Sequence, residues 1–80
     1  MYYVYLLTSV QFPDQKYIGH TENLQERLET HNSGGSIYTH AYRPWKLKMF
    51  LGFQTQAEAM KFEQYLKSQS GRAFAKKRFW

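Results

Sequence analysis

The sequence predicts an α+β domain: a small three-stranded, mostly antiparallel sheet flanked by helices, in the order ββαβα with a short C-terminal helix. Three observations carry this. Three segments are dense in aromatic, β-branched or alternating apolar residues and read as strands. Two helix-start boxes each precede an apolar stripe at helical spacing. The 80 residues leave room for one domain, residues 1–80, with a small core. A content of 42% hydrophobic and 19% aromatic residues is that of a folded chain rather than a disordered one.

Residues 2–8 (Tyr-Tyr-Val-Tyr-Leu-Leu-Thr) form the first predicted strand. Pro13 and Asp14 mark a turn, and residues 16–20 return antiparallel, with Gly19 allowing a bulge or a close backbone approach. Thr21 or Asn23 caps the next element, and Asn23 with Glu26 makes a capping box. That helix runs to about Asn32 and stops at Ser33-Gly34-Gly35. Residues 36–44 read as a polar and aromatic loop. Trp45, Leu47, Met49, Leu51 and Phe53 then alternate with Lys46 and Lys48, the pattern of a strand with one buried face. Thr55 and Glu58 make a second capping box, opening a helix to about Lys67. Ser68-Gln69-Ser70-Gly71 breaks it, and residues 72–79 form a short basic helix or tail.

Charge and composition narrow the functional classes. Eleven basic against six acidic residues give +5, which favours a polyanionic partner, nucleic acid before an anionic membrane surface, unless the charge serves only solubility. With no cysteine, disulfides and thiolate metal sites are excluded, so a metal must use oxygen or histidine ligands. No apolar run approaches the roughly 20 residues of a membrane span. The apolar start, residues 1–7, lacks a basic region and a cleavage site, so a cytoplasmic protein is the default expectation.

Two charges stand where apolar residues belong. The stripe of the first helix is Leu24, Arg27, Leu28 and His31, and every other position of that helix is polar. The stripe of the second is Ala59, Phe62, Glu63 and Leu66. An unpaired buried charge costs several kcal/mol, a large part of a total stability of about 5–15 kcal/mol. Bland readings exist for each residue. Arg27 can snorkel, and His31 can answer the helix dipole. Glu63 has too short a stem to snorkel well. A cation, an imidazole and a carboxylate converging on one sheet surface would instead make a phosphate and metal site.

Tyr3 and Tyr5 share one face of the first strand and Tyr17 lies on the second, ordinary places for strand-forming residues. Yet Tyr3-Val4-Tyr5, followed by Tyr17-Ile18-Gly19, resembles the paired motifs that name the GIY-YIG nuclease family. Arg27, the His31-Asn32 pair, Glu63 and the closing stretch Lys67-Ser68-Gln69-Ser70-Gly71-Arg72 continue the resemblance over nearly the whole chain, to the small stand-alone bacterial type. Two departures are visible: the first motif lacks its glycine, and His20 follows Gly19 where a small or hydroxyl residue is more usual.

The resemblance implies a divalent-metal-dependent endonuclease hydrolysing DNA phosphodiesters, in repair or processing, or else a nucleic-acid-binding module with the same fold and little activity. In the first case it assigns Tyr5 as general base and Tyr17 as a hydrogen-bonding partner of the water or phosphate. Arg27 would bind the scissile phosphate and His31 would carry a proton or contact phosphate. Glu63 would be the protein ligand of Mg²⁺ or Mn²⁺. A phenol of pKa about 10 needs roughly 4 kcal/mol of help to ionise at neutral pH. Arg27 and a metal would supply it, or a metal-activated water would relay the proton. Arg43, Lys46, Lys48, Lys67, Arg72, Lys76, Lys77 and Arg78 are the candidate DNA contacts. Phe74, Phe79 and Trp80 would stack on bases, or else pack the tail onto the sheet.

Overall fold

Strand β1 (Tyr2–Ser9) is buried almost along its length on both faces, which makes it the centre of the sheet. In the computed structural model, which describes residues 1–80, it pairs with β2 (Lys16–Thr21) on one side and β3 (Trp45–Phe53) on the other. Both pairings are antiparallel, so the sheet is wholly rather than mostly antiparallel. Alternation along β1 divides the core in two. Val4 and Leu6 pack with Ala59, Leu66 and Ala75 from two helices beneath, whereas Tyr5 and Leu7 pack with Trp45, Tyr17, Leu24 and Leu28.

Helix α1 (Leu24–Asn32) covers the Tyr5 face. Asn23 is its cap: the Glu26 N–H donates to Asn23 Oδ1 at 3.1 Å, while Thr21 Oγ1 accepts from the Asn23 N–H at 3.1 Å. The two candidate caps thus act in series. Helices α2 (Gln56–Lys67) and α3 (Gln69–Arg78) cover the Val4 face, and α2 opens on Thr55, whose hydroxyl accepts from the Glu58 N–H at 3.1 Å.

Two expectations are corrected. Ser68 alone interrupts the C-terminal helices, and residues 69–71 belong to α3. Ser68 Oγ donates to the Tyr65 carbonyl at 2.6 Å and accepts from the Gly71 N–H at 3.2 Å, closing one helix and opening the next. Gly71 is no breaker. A Cβ there would lie 1.6 Å from the Tyr65 carbonyl oxygen, so its lack of a side chain lets α3 fold back tightly on α2.

The second correction concerns β3. Leu7 pairs with Leu47 but Leu6 with Met49, leaving Lys48 as the extra residue of a bulge. The extra residue transfers the strand's apolar set between faces. Trp45 joins the Tyr5 cluster, whereas Met49 and Phe53 join the Val4 cluster. An alternation that reads as one buried face therefore serves both.

The loop after α1 contains a 3₁₀ turn (His40–Tyr42) and is tied down at three points. Thr39 is fully buried, and its carbonyl accepts from Trp45 Nε1 at 2.8 Å. Asn32 grips the backbone of Trp45, accepting from its N–H at 2.5 Å and donating to its carbonyl at 3.0 Å. No helix is long and apolar enough to cross a membrane.

Candidate active site

Four of the five predicted catalytic residues meet on the α1 face. The Tyr5 hydroxyl is 2.9 Å from His31 Nε2 and accepts from Arg27 Nε at 3.3 Å. Tyr17 flanks this group, its ring centroid 6.1 Å from that of Tyr5 and 4.7 Å from that of His31. Alternation explains the meeting. Tyr5 pairs with Gly19, Tyr17 is two residues away on the same face, and Arg27 and His31 are one helical turn apart above them. Gly19 is essential to it, because a Cβ there would stand 2.6 Å from the Tyr5 hydroxyl oxygen and 2.8 Å from Cζ.

Burial sets the protonation states. It pushes the Tyr5 phenol up to about 12, although the hydrogen bond from Arg27 pulls the other way. Arg27 thus pulls in the expected direction, but without the metal expected to act beside it burial prevails and no phenolate is prepared. The Arg27 guanidinium is itself held charged more firmly by the bond to Tyr5, against a smaller opposing effect of burial. His31 is fully buried, and burial first and the Arg27 charge second lower its pKa, so it is a neutral imidazole rather than a cation answering the helix dipole. Its Nδ1 is 2.7 Å from Thr39 Oγ1. A neutral imidazole has one donor and one acceptor. Consequently, when Tyr5 donates to Nε2, Nδ1–H donates to Thr39, and when Thr39 donates to Nδ1, Nε2–H donates to Tyr5. The proton on Tyr5 and that on His31 are coupled.

Glu63 is elsewhere. The expectation that arginine, imidazole and carboxylate converge on one sheet surface is corrected, since α1 and α2 cover opposite faces. Glu63 reaches the outer strand from below: Oε1 bonds His20 Nδ1, and Oε2 accepts from Lys67 Nζ at 2.7 Å. Its side chain is 16% exposed and that of Lys67 is 49% exposed. Burial raises the carboxyl pKa, but hydrogen bonds from Lys67 and His20 outweigh it and hold the group below the usual range. Glu63 is thus an ionised carboxylate close enough for its charge to be felt at Tyr5. No cluster of three or more histidine or acidic side chains forms a ready cage. A lone carboxylate still suits Mg²⁺, which keeps most of its waters and takes one or two carboxylates plus substrate oxygens.

The predicted DNA contacts separate. Lys46 and Lys48 line one cavity, and Lys67 and Arg72 another. Arg43 packs across Gly34, where a Cβ would stand 2.0 Å from its guanidinium. Lys76, Lys77 and Arg78 occupy the last turn of α3, where they also interact favourably with the negative end of its dipole. Phe74 packs between Tyr65 and Phe79, on helix rather than sheet. Lys16, His20 and Thr39 carry no signal of their own in the sequence beyond the place of His20 beside Gly19. Each acquires its neighbour only through folding.

Comparison with known proteins identifies the family of the chain. Residues 1–78 match the family described as the GIY-YIG catalytic domain. A UPF0213 protein of Clostridium perfringens is 40% identical over 68 residues, 84% of this chain and 71% of that protein. A structure-specific endonuclease subunit SLX1 homolog of Giardia intestinalis is 38% identical over 65 residues, 76% of this chain but 18% of the relative. Against a UPF0213 protein of Bacillus licheniformis the match is 47% over 55 residues, and it spans little more than half of that relative (57%). The solution structure of a UPF0213 protein from Bacillus halodurans superposes with a TM-score of 0.55 at 28% identity, covering 99% of this chain and 87% of that one.

Proposed function

The chain belongs to the GIY-YIG catalytic-domain family, and on that premise we propose that it is a divalent-metal-dependent endonuclease that hydrolyses DNA phosphodiesters. The observation that carries this reading is the Tyr5 hydroxyl, shared between the charged Arg27 and the buried neutral His31. A buried structural tyrosine is satisfied by one neutral partner and has no need of a guanidinium as well.

With Tyr5 near 12, a free phenolate at pH 7 lies about five pH units away, on the order of 7 kcal/mol at about 1.36 kcal/mol per unit. We therefore assign the base function to the Tyr5–His31 pair. The attacking water gives its proton to the Tyr5 oxygen as the phenolic proton passes to His31 Nε2, with Nδ1–H retained on Thr39. The hydroxide forms a bond to phosphorus and the P–O bond to the leaving oxygen breaks. The leaving oxygen takes a proton from solvent water; burial and the Arg27 charge disfavour the imidazolium, so its proton passes back through Tyr5 to solvent after turnover. Arg27 has its Nε on Tyr5, which leaves the terminal nitrogens for the phosphoryl oxygens. Tyr17 orients the water or phosphate by hydrogen bonding.

Glu63 would hold the divalent cation, Mg²⁺ or Mn²⁺, which supplies charge neutralisation at the phosphoryl and leaving oxygens. Lys67, the more exposed partner, is the one free to swing aside. Two relatives described as structure-specific endonuclease subunits support a substrate chosen by its structure; we take that substrate to be branched DNA, in repair or processing. One feature favours the alternative of a binding module with little activity: both Glu63 oxygens already have partners. Purified protein incubated with plasmid, branched and single-stranded DNA, with and without Mg²⁺ or Mn²⁺, separates the two. Metal-dependent cleavage that is lost in Glu63→Gln is expected. Salt-dependent binding without cleavage, or equal cleavage by Glu63→Gln, would refute the proposed chemistry.

A further inference from the structure

Two cavities share Lys16 and Trp80, one formed by the ends of β1, β2 and β3 and the other by β2 and the C-terminal helices, and none of the residues lining them is acidic. The first, about 470 Å³, is walled by Thr8, Lys16, Lys46, Lys48 and Trp80 among others. The second, about 380 Å³, is walled by Lys16, Tyr17, Lys67, Arg72 and Trp80 among others. Lys16 and Trp80 belong to both and stand between them, with Lys16 Nζ 5.4 Å from the centre of the indole ring. The walls of the second cavity include Tyr17 and Lys67, the partner of Glu63, so it borders the candidate site. None of the candidate catalytic residues lines the first. In its wall the Thr8 hydroxyl is buried without a hydrogen-bond partner.

We propose that the two cavities form a track for an unpaired DNA strand flanking the scissile phosphate. Trp80 stacks on a base, and Lys16, Lys46, Lys48 and Arg72 neutralise successive phosphates. The position of the scissile phosphate rests on the nuclease reading above. The chemistry of the track points to an unpaired strand. Each cavity is at the small end of ligand pockets, which run about 300–1000 Å³, so each takes on the order of one nucleotide. An indole set between two such cavities is useful only to a base whose π-face is free, and paired bases hide theirs in the stack.

The test uses the protein in EDTA, so that binding is read without cleavage. Hairpin DNA with a short oligo-dT overhang is compared with a blunt hairpin by fluorescence anisotropy, and tryptophan emission is followed in parallel. The overhang is expected to bind at least about tenfold tighter and to quench tryptophan emission. That quench belongs to Trp80, because Trp45 is buried and hydrogen-bonded to Thr39. Trp80→Leu is expected to weaken overhang binding by about 5- to 100-fold and to abolish the preference over the blunt hairpin. Since Trp80 also packs on the core, a Lys46→Gln, Lys48→Gln double variant at exposed strand positions gives a second reading. Its salt dependence on the overhang should fall by a slope of about 1.4, roughly 0.7 per phosphate contact.

Equal affinity for both hairpins, no quench, or an unchanged salt slope in the double variant would overturn the track. Tighter binding of a ribonucleotide overhang would overturn its assignment to DNA. The two readings fail separately. Overhang preference with no cleavage after Mg²⁺ is added defeats the nuclease reading and supports the track, while cleavage without overhang preference does the reverse.

Discussion

Gly19→Ala tests the central geometry with a single methyl group. Its Cβ would stand 2.6 Å from the Tyr5 hydroxyl oxygen and 3.0 Å from Tyr17 Cε2, where ordinary contacts begin at 3.4 Å. The hydroxyl must therefore retreat by the difference, about 0.8 Å. Tyr5 is 2% exposed and is held at its tip by His31 and Arg27, so this is not the free end of a flexible chain. Overpacking costs about 1–3 kcal/mol. Replacing glycine by alanine offsets about 0.4–1 kcal/mol of that by restricting the unfolded chain. The net loss, up to about 2.6 kcal/mol, is a fall in Tm of up to roughly 20 °C for a domain of this size. Activity should suffer more, because a misplacement near 1 Å can cost about a hundredfold in rate. The assay pairs thermal unfolding with single-turnover cleavage of branched DNA. Cleavage within threefold of wild type at an unchanged Tm would mean that Tyr5 moves freely, and the reasoning from its fixed position would be wrong.

Four further outcomes are expected. His31→Gln should lower kcat by about 10²–10⁴-fold, the usual contribution of general acid–base catalysis, and single-turnover rates near wild type would remove histidine from the relay. The same residue sets a pH dependence. Its folded pKa lies below the unfolded value of 6.5, so its stabilising contribution is complete above about 6.5 and is lost as pH falls below it. Glu63, also depressed, loses its contribution only below about 4.5, so urea titrations in which His31→Gln keeps the upper decline would contradict the assignment. Asn32→Ala strips both backbone groups of Trp45 of their partner and should cost about 2–3 kcal/mol; a loss under 0.5 kcal/mol in urea would show that water replaces the clamp. Gly71→Ala drives a methyl into the Tyr65 carbonyl and should cost at least about 3 kcal/mol, read as a large fall in Tm; a stable variant would mean that the turn between α2 and α3 opens easily.

Where pattern is local, the sequence is a sufficient guide. The two capping boxes work as their spacing implies, since a cap hydrogen bond spans only three residues. The strands lie where aromatic and alternating runs put them, and Tyr5, Tyr17, Arg27 and His31 share a face because strand and helix periods dictate it. Local pattern misleads at β3 and at Gly71. A bulge of one residue reverses which face a strand presents, and its partner decides where the bulge falls. Gly71 serves a close helix approach that has no signature distinct from a helix stop.

The residue types at the site, two tyrosines, an arginine, a histidine and a carboxylate, were determined by the sequence alone, as was the absence of any thiol chemistry. Their electrostatic states were decided by tertiary structure. Burial, not the nearby arginine, governs Tyr5, and it turns His31 from a helix-end cation into a neutral proton partner. Lys67 meets Glu63 through the helix period itself, whereas folding brings His20 onto Glu63 from 43 residues away and sets Lys16 against Trp80. Solvation and long-range contact have no period along a chain, so these features appear only once the sheet and its helices have closed around them.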